Sequence, residues 1–131
     1  MPPLILVVED DANALQAICR TLALEGYRYL PTKDADQALG LLGSGHMPDL
    51  LLIDVRLLGI SGSELALQIH ERHPGVPVLF VSGWPAGLMD ADTLTPFRWE
   101  FLAKPFAPDT LVNRIHNLLK QSEVSLGDAR E

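Results

Sequence analysis

The sequence predicts a single doubly wound α/β domain, in which helices pack on both faces of a parallel β-sheet. Short apolar runs rich in β-branched residues alternate along the chain with segments whose apolar residues recur at helical spacing. A helix that joins two parallel strands must pack back onto the sheet, so this alternation is typical of a doubly wound fold. The chain has 131 residues, of which 47% are apolar, and this suits one compact domain with one core.

The first half of the chain predicts a β-α-β-α-β succession. Leu4–Val8 (LILVV) is a continuous apolar run, as expected for a strand buried on both faces of a parallel sheet. A helix that ends near Gly26 follows, with apolar residues at i, i+3, i+4 and i+7: Leu15, Ile18, Cys19 and Leu22. The next predicted elements are a strand at residues 27–31, a helix at residues 35–42 and a buried strand at residues 50–54 (LLLID).

The second half predicts two more strands and up to three helices. Ser61 and Glu64 form a predicted capping box at the start of a helix that ends at His73. Further elements are a strand at residues 76–82, a short or irregular helix within residues 83–96, a strand at residues 98–103 and a last helix that buries Leu111, Ile115, Leu118 and Leu119. We expect a domain over residues 1–121 and a polar tail or linker over residues 122–131.

Charge, hydropathy and cysteine content exclude several classes of function. The net charge of -7 argues against electrostatic binding to nucleic acid, whose phosphates would be repelled. No apolar run approaches the roughly 20 residues that span a bilayer, and acidic residues follow the start too soon for a secretory signal. We therefore expect a cytoplasmic protein without membrane contact. Cys19 is the only cysteine, which excludes an internal disulfide and a cysteine metal cluster.

Polar residues follow the predicted strands at the points where the strands end. Glu9 and Asp10 follow the first strand, Asp54 ends the third, Ser82 ends the fourth and Lys104 follows the fifth. Ligands of doubly wound sheets bind at the carboxyl ends of the strands, so these side chains should meet. Clustered carboxylates repel unless a cation neutralises them, and hard oxygen ligands favour Mg²⁺ or Mn²⁺. A carboxylate nucleophile, a metal, a lysine and a hydroxyl are the parts needed to accept a phosphoryl group.

Four segments with compatible spacing resemble the receiver domain of bacterial response regulators. They are ILVVEDD at residues 5–11, LLIDVRLLGISG at residues 51–62, VSG at residues 81–83 and FLAKPF at residues 101–106. The resemblance covers about residues 4–120 and is greatest to receivers attached to hybrid sensor histidine kinases. It implies a flavodoxin-like sheet with strand order 2-1-3-4-5 and five helices.

The resemblance also implies a signalling switch rather than a metabolic enzyme. Such a domain takes a phosphoryl group from a sensor histidine kinase or a histidine phosphotransfer domain and then changes its protein contacts. Self-phosphorylation from a donor and self-dephosphorylation are its only implied reactions. A monomer or weak dimer is implied, because the segment from Trp84 to Trp99 departs from the helix that DNA-binding relatives use to dimerise.

Asp54 is the phosphoacceptor that the resemblance implies. Asp10 is an implied direct metal ligand, and Glu9 acts directly or through water. Asp54 itself and the backbone carbonyl of Arg56 complete the implied metal site. Asp11 could extend this cluster, although its position also suits the cap of the first helix.

The remaining implied roles fall to three residues of the last two strands and their ends. Ser82 would hydrogen-bond a phosphoryl oxygen, Lys104 would pair with it, and Phe101 occupies the aromatic switch position. The bond between Lys104 and Pro105 is expected to be cis. Without the resemblance, Ser82 could be only a strand-end hydroxyl and Phe101 only a core aromatic.

Three other functions stay open beside this resemblance: a phosphatase, a pseudo-receiver scaffold and a flavin-binding module. A phosphatase of the aspartate-nucleophile type needs a second acid two residues after Asp54, where this chain has Arg56. A pseudo-receiver scaffold would never accept phosphate, and a flavin-binding module would need a phosphate loop where Glu9 lies.

The sequence departs from the family pattern around the implied site. Leu58 stands where many receivers carry a proline. Arg56 and Trp84 are bulky, and we expect them to slow spontaneous dephosphorylation.

Overall fold

The computed structural model describes residues 1–83 and 98–128, with side chains through residue 120. The described residues form a five-stranded sheet and four helices: β1 (Leu4–Val8), α1 (Ala12–Leu24), β2 (Arg28–Thr32), α2 (Ala35–Gly43), β3 (Leu50–Asp54), α3 (Gly62–Arg72), β4 (Val78–Ser82), β5 (Trp99–Ala103) and α4 (Pro108–Asp128). All neighbouring strands are parallel, in the order β2-β1-β3-β4-β5. The predicted fold class and strand order are confirmed. The irregular helix predicted within residues 83–96 lies almost entirely outside the described residues.

The core has two halves, one on each face of the sheet. Because successive strand residues point to opposite faces, Val8 and Ile53 pack with α2 and α3, whereas Val7 and Leu52 pack with α1 and α4. Every residue of β1, β3 and β4 is buried. Burying one Val, Leu or Ile side chain contributes about 1.5–3 kcal/mol, so these three strands contribute much of the stability of the domain.

Side-chain caps fix the starts of α1 and α3, directly beyond the strand ends. The Asp11 carboxylate accepts from the backbone N–H of Ala14 at 3.2 Å, which confirms the capping prediction. The Ser61 hydroxyl accepts from the backbone N–H of Glu64 at 3.1 Å. Such caps typically stabilise a helix by about 1 kcal/mol. They hold the helix starts against the edge of the sheet where the polar residues gather.

Several element bounds differ from the sequence prediction, most of them by one residue, and two of the differences have a clear physical reason. β4 begins at Val78 rather than residue 76, because Pro77 has no amide hydrogen to donate to a neighbouring strand. The last helix continues to Asp128 rather than ending near residue 121, since no proline follows Pro108 and glycine appears only at residue 127. The division into a domain and a tail at residue 121 stays a prediction.

Candidate functional site

The carboxyl ends of the central strands bring the predicted site residues together at one edge of the sheet. Asp54 is the last residue of β3, and Glu9 directly follows β1, which pairs with β3. Lys104 directly follows β5, and its backbone N–H donates to the carbonyl of Ser82 at 2.8 Å. The convergence that the sequence predicts is therefore present. It arises because all five strands run in the same direction.

Glu9, Asp10 and Asp54 form an acidic cluster. One carboxylate oxygen of each residue lies within 4.8 Å of those of the other two. Glu9 is fully buried and Asp54 is 7% exposed, whereas Asp10 is exposed to solvent. Three hard oxygen donors, one of them open to water, could hold a divalent cation that keeps some of its own water ligands. The residues present therefore fit a metal ion.

Lys104 lies among the carboxylates of this cluster. Its ammonium nitrogen forms an ion pair with Oε1 of Glu9 and lies 3.2 Å from Oδ2 of Asp54. The other Asp54 oxygen, Oδ1, accepts from the backbone N–H of Arg56 at 3.0 Å. The Asp54 carboxylate is thus held on both oxygens. The pairing of Lys104 with Glu9 is a contact that the sequence did not predict.

Burial and neighbouring charges shift two pKa values in the site. Burial, together with the nearby Asp54 carboxylate, raises the pKa of Glu9 from 4.5 to about 7, although the hydrogen bond from Lys104 opposes this. Burial alone would lower the pKa of the Lys104 ammonium. The hydrogen bond to Glu9 and the negative charges of Glu9 and Asp54 outweigh that effect and raise this pKa above its ordinary value. Lys104 therefore stays charged at neutral pH.

Ser82 and Phe101 occupy the last two strands of the sheet. Ser82 is buried at the end of β4, one residue after Val81, which lies beside Asp54 in the register of β3 and β4. Phe101 is half-buried on the face that carries α2 and α3. Its backbone carbonyl accepts from the guanidinium of Arg114 on α4 at 3.2 Å. The roles of Ser82 and Phe101 in a switch stay predictions.

The loop after Asp54 is exposed at its tip. Arg56 is exposed, and Leu58 is 82% exposed. Trp84 lies outside the described residues, so its predicted place beside the site stays a prediction. The bond between Lys104 and Pro105 is cis, as predicted.

Thr32 supports the site and was not identified from the sequence. Its buried hydroxyl donates to the carbonyl of Val7 at 2.7 Å, and its own carbonyl accepts from the N–H of Glu9 at 3.0 Å. These bonds fix the backbone that precedes the buried Glu9 side chain. A threonine that directly follows a predicted strand gives no sequence signal for this contact, since its partner lies 25 residues away.

Comparisons with known proteins identify the type of domain that carries this site. A sequence model described as "Response regulator receiver domain" matches residues 5–116. The C4-dicarboxylate transport transcriptional regulatory protein DctD of Pseudomonas aeruginosa is 30% identical over 116 residues, which are 88% of this chain and 25% of DctD. The response regulator MprA of Mycolicibacterium vanbaalenii is 30% identical over 122 residues, which are 93% of this chain and 52% of MprA. The chain thus spans about half, or less, of these relatives.

Solved structures share the fold. The crystal structure of NtrX from Brucella abortus matches 99% of this chain and 29% of its own, with a TM-score of 0.89 and 27% identity. A receiver domain protein (CheY-like) from Methanospirillum hungatei matches 95% of this chain and 99% of its own, with a TM-score of 0.84 and 24% identity, which shows the fold alone. The sequence match spans most of the chain and the strand order agrees with it. The chain therefore belongs to the response regulator receiver domain family.

Proposed function

We propose that this chain is a phosphoacceptor switch in which Asp54 receives a phosphoryl group beside a Mg²⁺ ion. One observation supports this above all others. The Asp54 carboxylate lies at a strand end, held between the Lys104 ammonium at 3.2 Å and the Arg56 N–H at 3.0 Å, inside a cluster of three acids. A structural aspartate at a strand end would need neither the buried Glu9 nor the lysine.

The proposed reaction is an in-line displacement at phosphorus. An Asp54 carboxylate oxygen forms the new P–O bond while the P–N bond to the donor histidine breaks, and the electron pair returns to the imidazole nitrogen. The product is an acyl phosphate on Asp54 and a free histidine on the donor. Lys104 is proposed to pair with one equatorial phosphoryl oxygen, and Ser82 is proposed to donate its hydroxyl to another.

Glu9, Asp10, Asp54 and the carbonyl of Arg56 are the proposed metal ligands. The ion, Mg²⁺ or Mn²⁺, would neutralise the charge that develops on the phosphoryl oxygens. The Arg56 carbonyl belongs to the residue whose N–H already donates to Asp54. Metal binding and the orientation of the acceptor would therefore involve the same short loop.

The proposed partner is a sensor histidine kinase or a histidine phosphotransfer domain. A mostly apolar hollow of about 460 Å³ opens beside Lys104, between α1 and the start of α4. Its lining includes Ala14, Ala17, Pro105 and Phe106. Such a surface suits a protein donor better than a free phosphate compound. We propose that the donor contacts this face while its histidine reaches Asp54.

The cellular location, the reactions and the oligomeric state of the chain are also proposals. Among the described residues, no helix has both the length and the apolar composition needed to cross a membrane. We propose a cytoplasmic regulatory domain, monomeric or weakly dimeric, whose only reactions are its own phosphorylation and dephosphorylation. DctD is named a transcriptional regulatory protein, so the prediction that this chain has no nucleic-acid partner stays untested.

Acetyl phosphate tests the proposal directly. Purified chain is incubated with this donor and Mg²⁺, and its intact mass is followed in the wild type, in Asp54→Asn and in the control Asp36→Asn, which changes an exposed acid on α2. We expect one phosphate adduct in the wild type and the control, none in Asp54→Asn, and none in EDTA. An adduct that persists in Asp54→Asn would contradict the assignment, and continuous release of phosphate from a phosphomonoester would favour a phosphatase.

A further inference from the structure

The first residue of α3 touches the backbone of the phosphoacceptor strand. Gly62 is buried, and its N–H donates to the carbonyl of Val55 at 2.8 Å. A Cβ atom built at residue 62 would lie 2.3 Å from the carbonyl oxygen of Asp54 and 2.9 Å from Cα of Val55. Side-chain carbons do not approach backbone atoms this closely. Only glycine allows α3 to start where it does.

Gly62 differs in this respect from the other glycines of residues 1–83. A Cβ at Gly40, Gly43 or Gly83 would meet no atom within 4 Å, and four further glycines adopt a positive φ angle in turns. Gly62 has no positive φ angle, so its conformation does not require glycine. Glycine also destabilises a helix relative to alanine. The close approach to Asp54 is therefore the physical reason for glycine at this position.

This contact closes the loop that follows Asp54. The Val55 carbonyl binds the Gly62 N–H, and Arg56 forms a β-bridge with Ser61, so the two ends of the loop are joined. The same loop presents the Arg56 N–H to Oδ1 of Asp54 at 3.0 Å. Any displacement of α3 away from β3 would move the group that orients the acceptor carboxylate.

We infer that Gly62 is a positioning residue for phosphoryl transfer, which holds the backbone of Asp54 and Arg56 in place through its lack of a side chain. The inference rests on the proposed function of Asp54. An alanine at residue 62 must move away from the Asp54 carbonyl by about 1 Å to reach an ordinary contact of 3.4 Å. A misplacement of about 1 Å can lower the rate of a positioned reaction on the order of 100-fold.

Gly62→Ala is compared with the wild type and two control variants. Gly40→Ala adds the same methyl group to a helix, where it meets nothing within 4 Å. Ser61→Ala removes the hydroxyl that caps α3 and thereby destabilises the same helix start, without pushing on Asp54. Thermal unfolding gives the folded fraction, and intact mass gives the rate of phosphorylation by acetyl phosphate at saturating Mg²⁺. NMR of the metal-free proteins gives the backbone amide resonances of residues 54–56.

We expect the rate per folded molecule to fall between about 10-fold and 100-fold in Gly62→Ala and to stay at the wild-type value in both controls. The amide resonances of residues 54–56 should shift further in Gly62→Ala than in either control, because only this variant displaces the backbone of Asp54. A wild-type rate in folded Gly62→Ala, or unshifted resonances, would overturn the inference. If the variant is partly unfolded, all proteins are measured in trimethylamine N-oxide, which favours the folded state.

Failure of Gly62→Ala to fold even in this osmolyte would also overturn the inference, because the contact would then be a requirement of the whole fold. The proposed function fails in a different way. In that case the wild type itself takes up no phosphate, whereas the amide shifts of residues 54–56 still report whether Gly62 positions their backbone.

Discussion

Asp10→Asn should stabilise the metal-free protein and remove its stabilisation by Mg²⁺. The Asp10 carboxylate lies within 4.8 Å of carboxylate oxygens of Glu9 and Asp54, and Lys104 pairs with those two residues. Without a metal ion, Asp10 therefore adds negative charge to an acidic site. Asparagine has nearly the same shape and removes that charge, so the substitution relieves repulsion without leaving a cavity.

The size of the effect follows from the exposure of Asp10. Two unit charges about 4 Å apart repel by about 1 kcal/mol in bulk water, and this value suits an exposed carboxylate. We therefore expect Asp10→Asn to raise the free energy of unfolding in EDTA by about 1 kcal/mol, which is a few degrees in Tm. Mg²⁺ at one hundred times its dissociation constant stabilises the wild type by about 2.7 kcal/mol. Asp10→Asn has lost a metal ligand and gains less stability from Mg²⁺. In Mg²⁺ the wild type should therefore be more stable than the variant.

Thermal and denaturant unfolding, followed by circular dichroism in EDTA and in MgCl₂, measure both effects. Asp11→Asn is the matched control, because Asn and Asp cap helices equally well and Asp11 caps α1. We expect this control to keep the full response to Mg²⁺. A loss of stability in EDTA on Asp10→Asn, or an Mg²⁺ response equal to that of the wild type, would refute the reasoning.

Four further substitutions test three other expectations about the site. The pKa of Glu9 is raised from 4.5 to about 7, so the folded metal-free state binds a proton that the unfolded state has lost, and its stability should fall as pH rises through this window. Tm measured against pH should show a smaller fall in Glu9→Gln, and equal slopes would contradict the burial argument. Lys104→Ala should slow phosphorylation by acetyl phosphate by about 100-fold to 1,000-fold, and a wild-type rate would exclude Lys104 from the reaction. Arg56→Ala and Trp84→Ala should each shorten the lifetime of the phosphorylated state, and unchanged decay would contradict their proposed shielding of the acyl phosphate.

The strands and the meeting of Asp54 with Lys104 could be predicted from sequence because both depend on simple periodic rules. Residues 50–53 of β3 are all apolar because both faces of the strand are covered. Once all strands are parallel, residues that end them must share one edge of the sheet. The same rules place Glu9 at that edge.

The partners within the site could not be predicted, because they depend on side-chain conformation and on contacts between distant elements. Lys104 was expected to pair with a bound phosphoryl group, yet its nearest partner in the structure is Glu9. Thr32 is a buried donor whose acceptor lies on another strand. Gly62 looks in sequence like an ordinary helix start, and its significance appears only once the carbonyl of Asp54 is placed beside it.

Charge balance explains why the proposed site would need a divalent cation. Glu9, Asp10 and Asp54 carry three negative charges when ionised, and Lys104 supplies one positive charge, so a divalent ion makes the cluster neutral. Without the ion, the raised pKa of Glu9 allows a proton to take over part of this neutralisation. An acyl phosphate on Asp54 would add negative charge again, and Lys104 could meet it by moving from Asp54 Oδ2 toward a phosphoryl oxygen. Because Glu9 is fully buried, Lys104 could stay paired with Glu9 while it exchanges Asp54 for the phosphoryl oxygen.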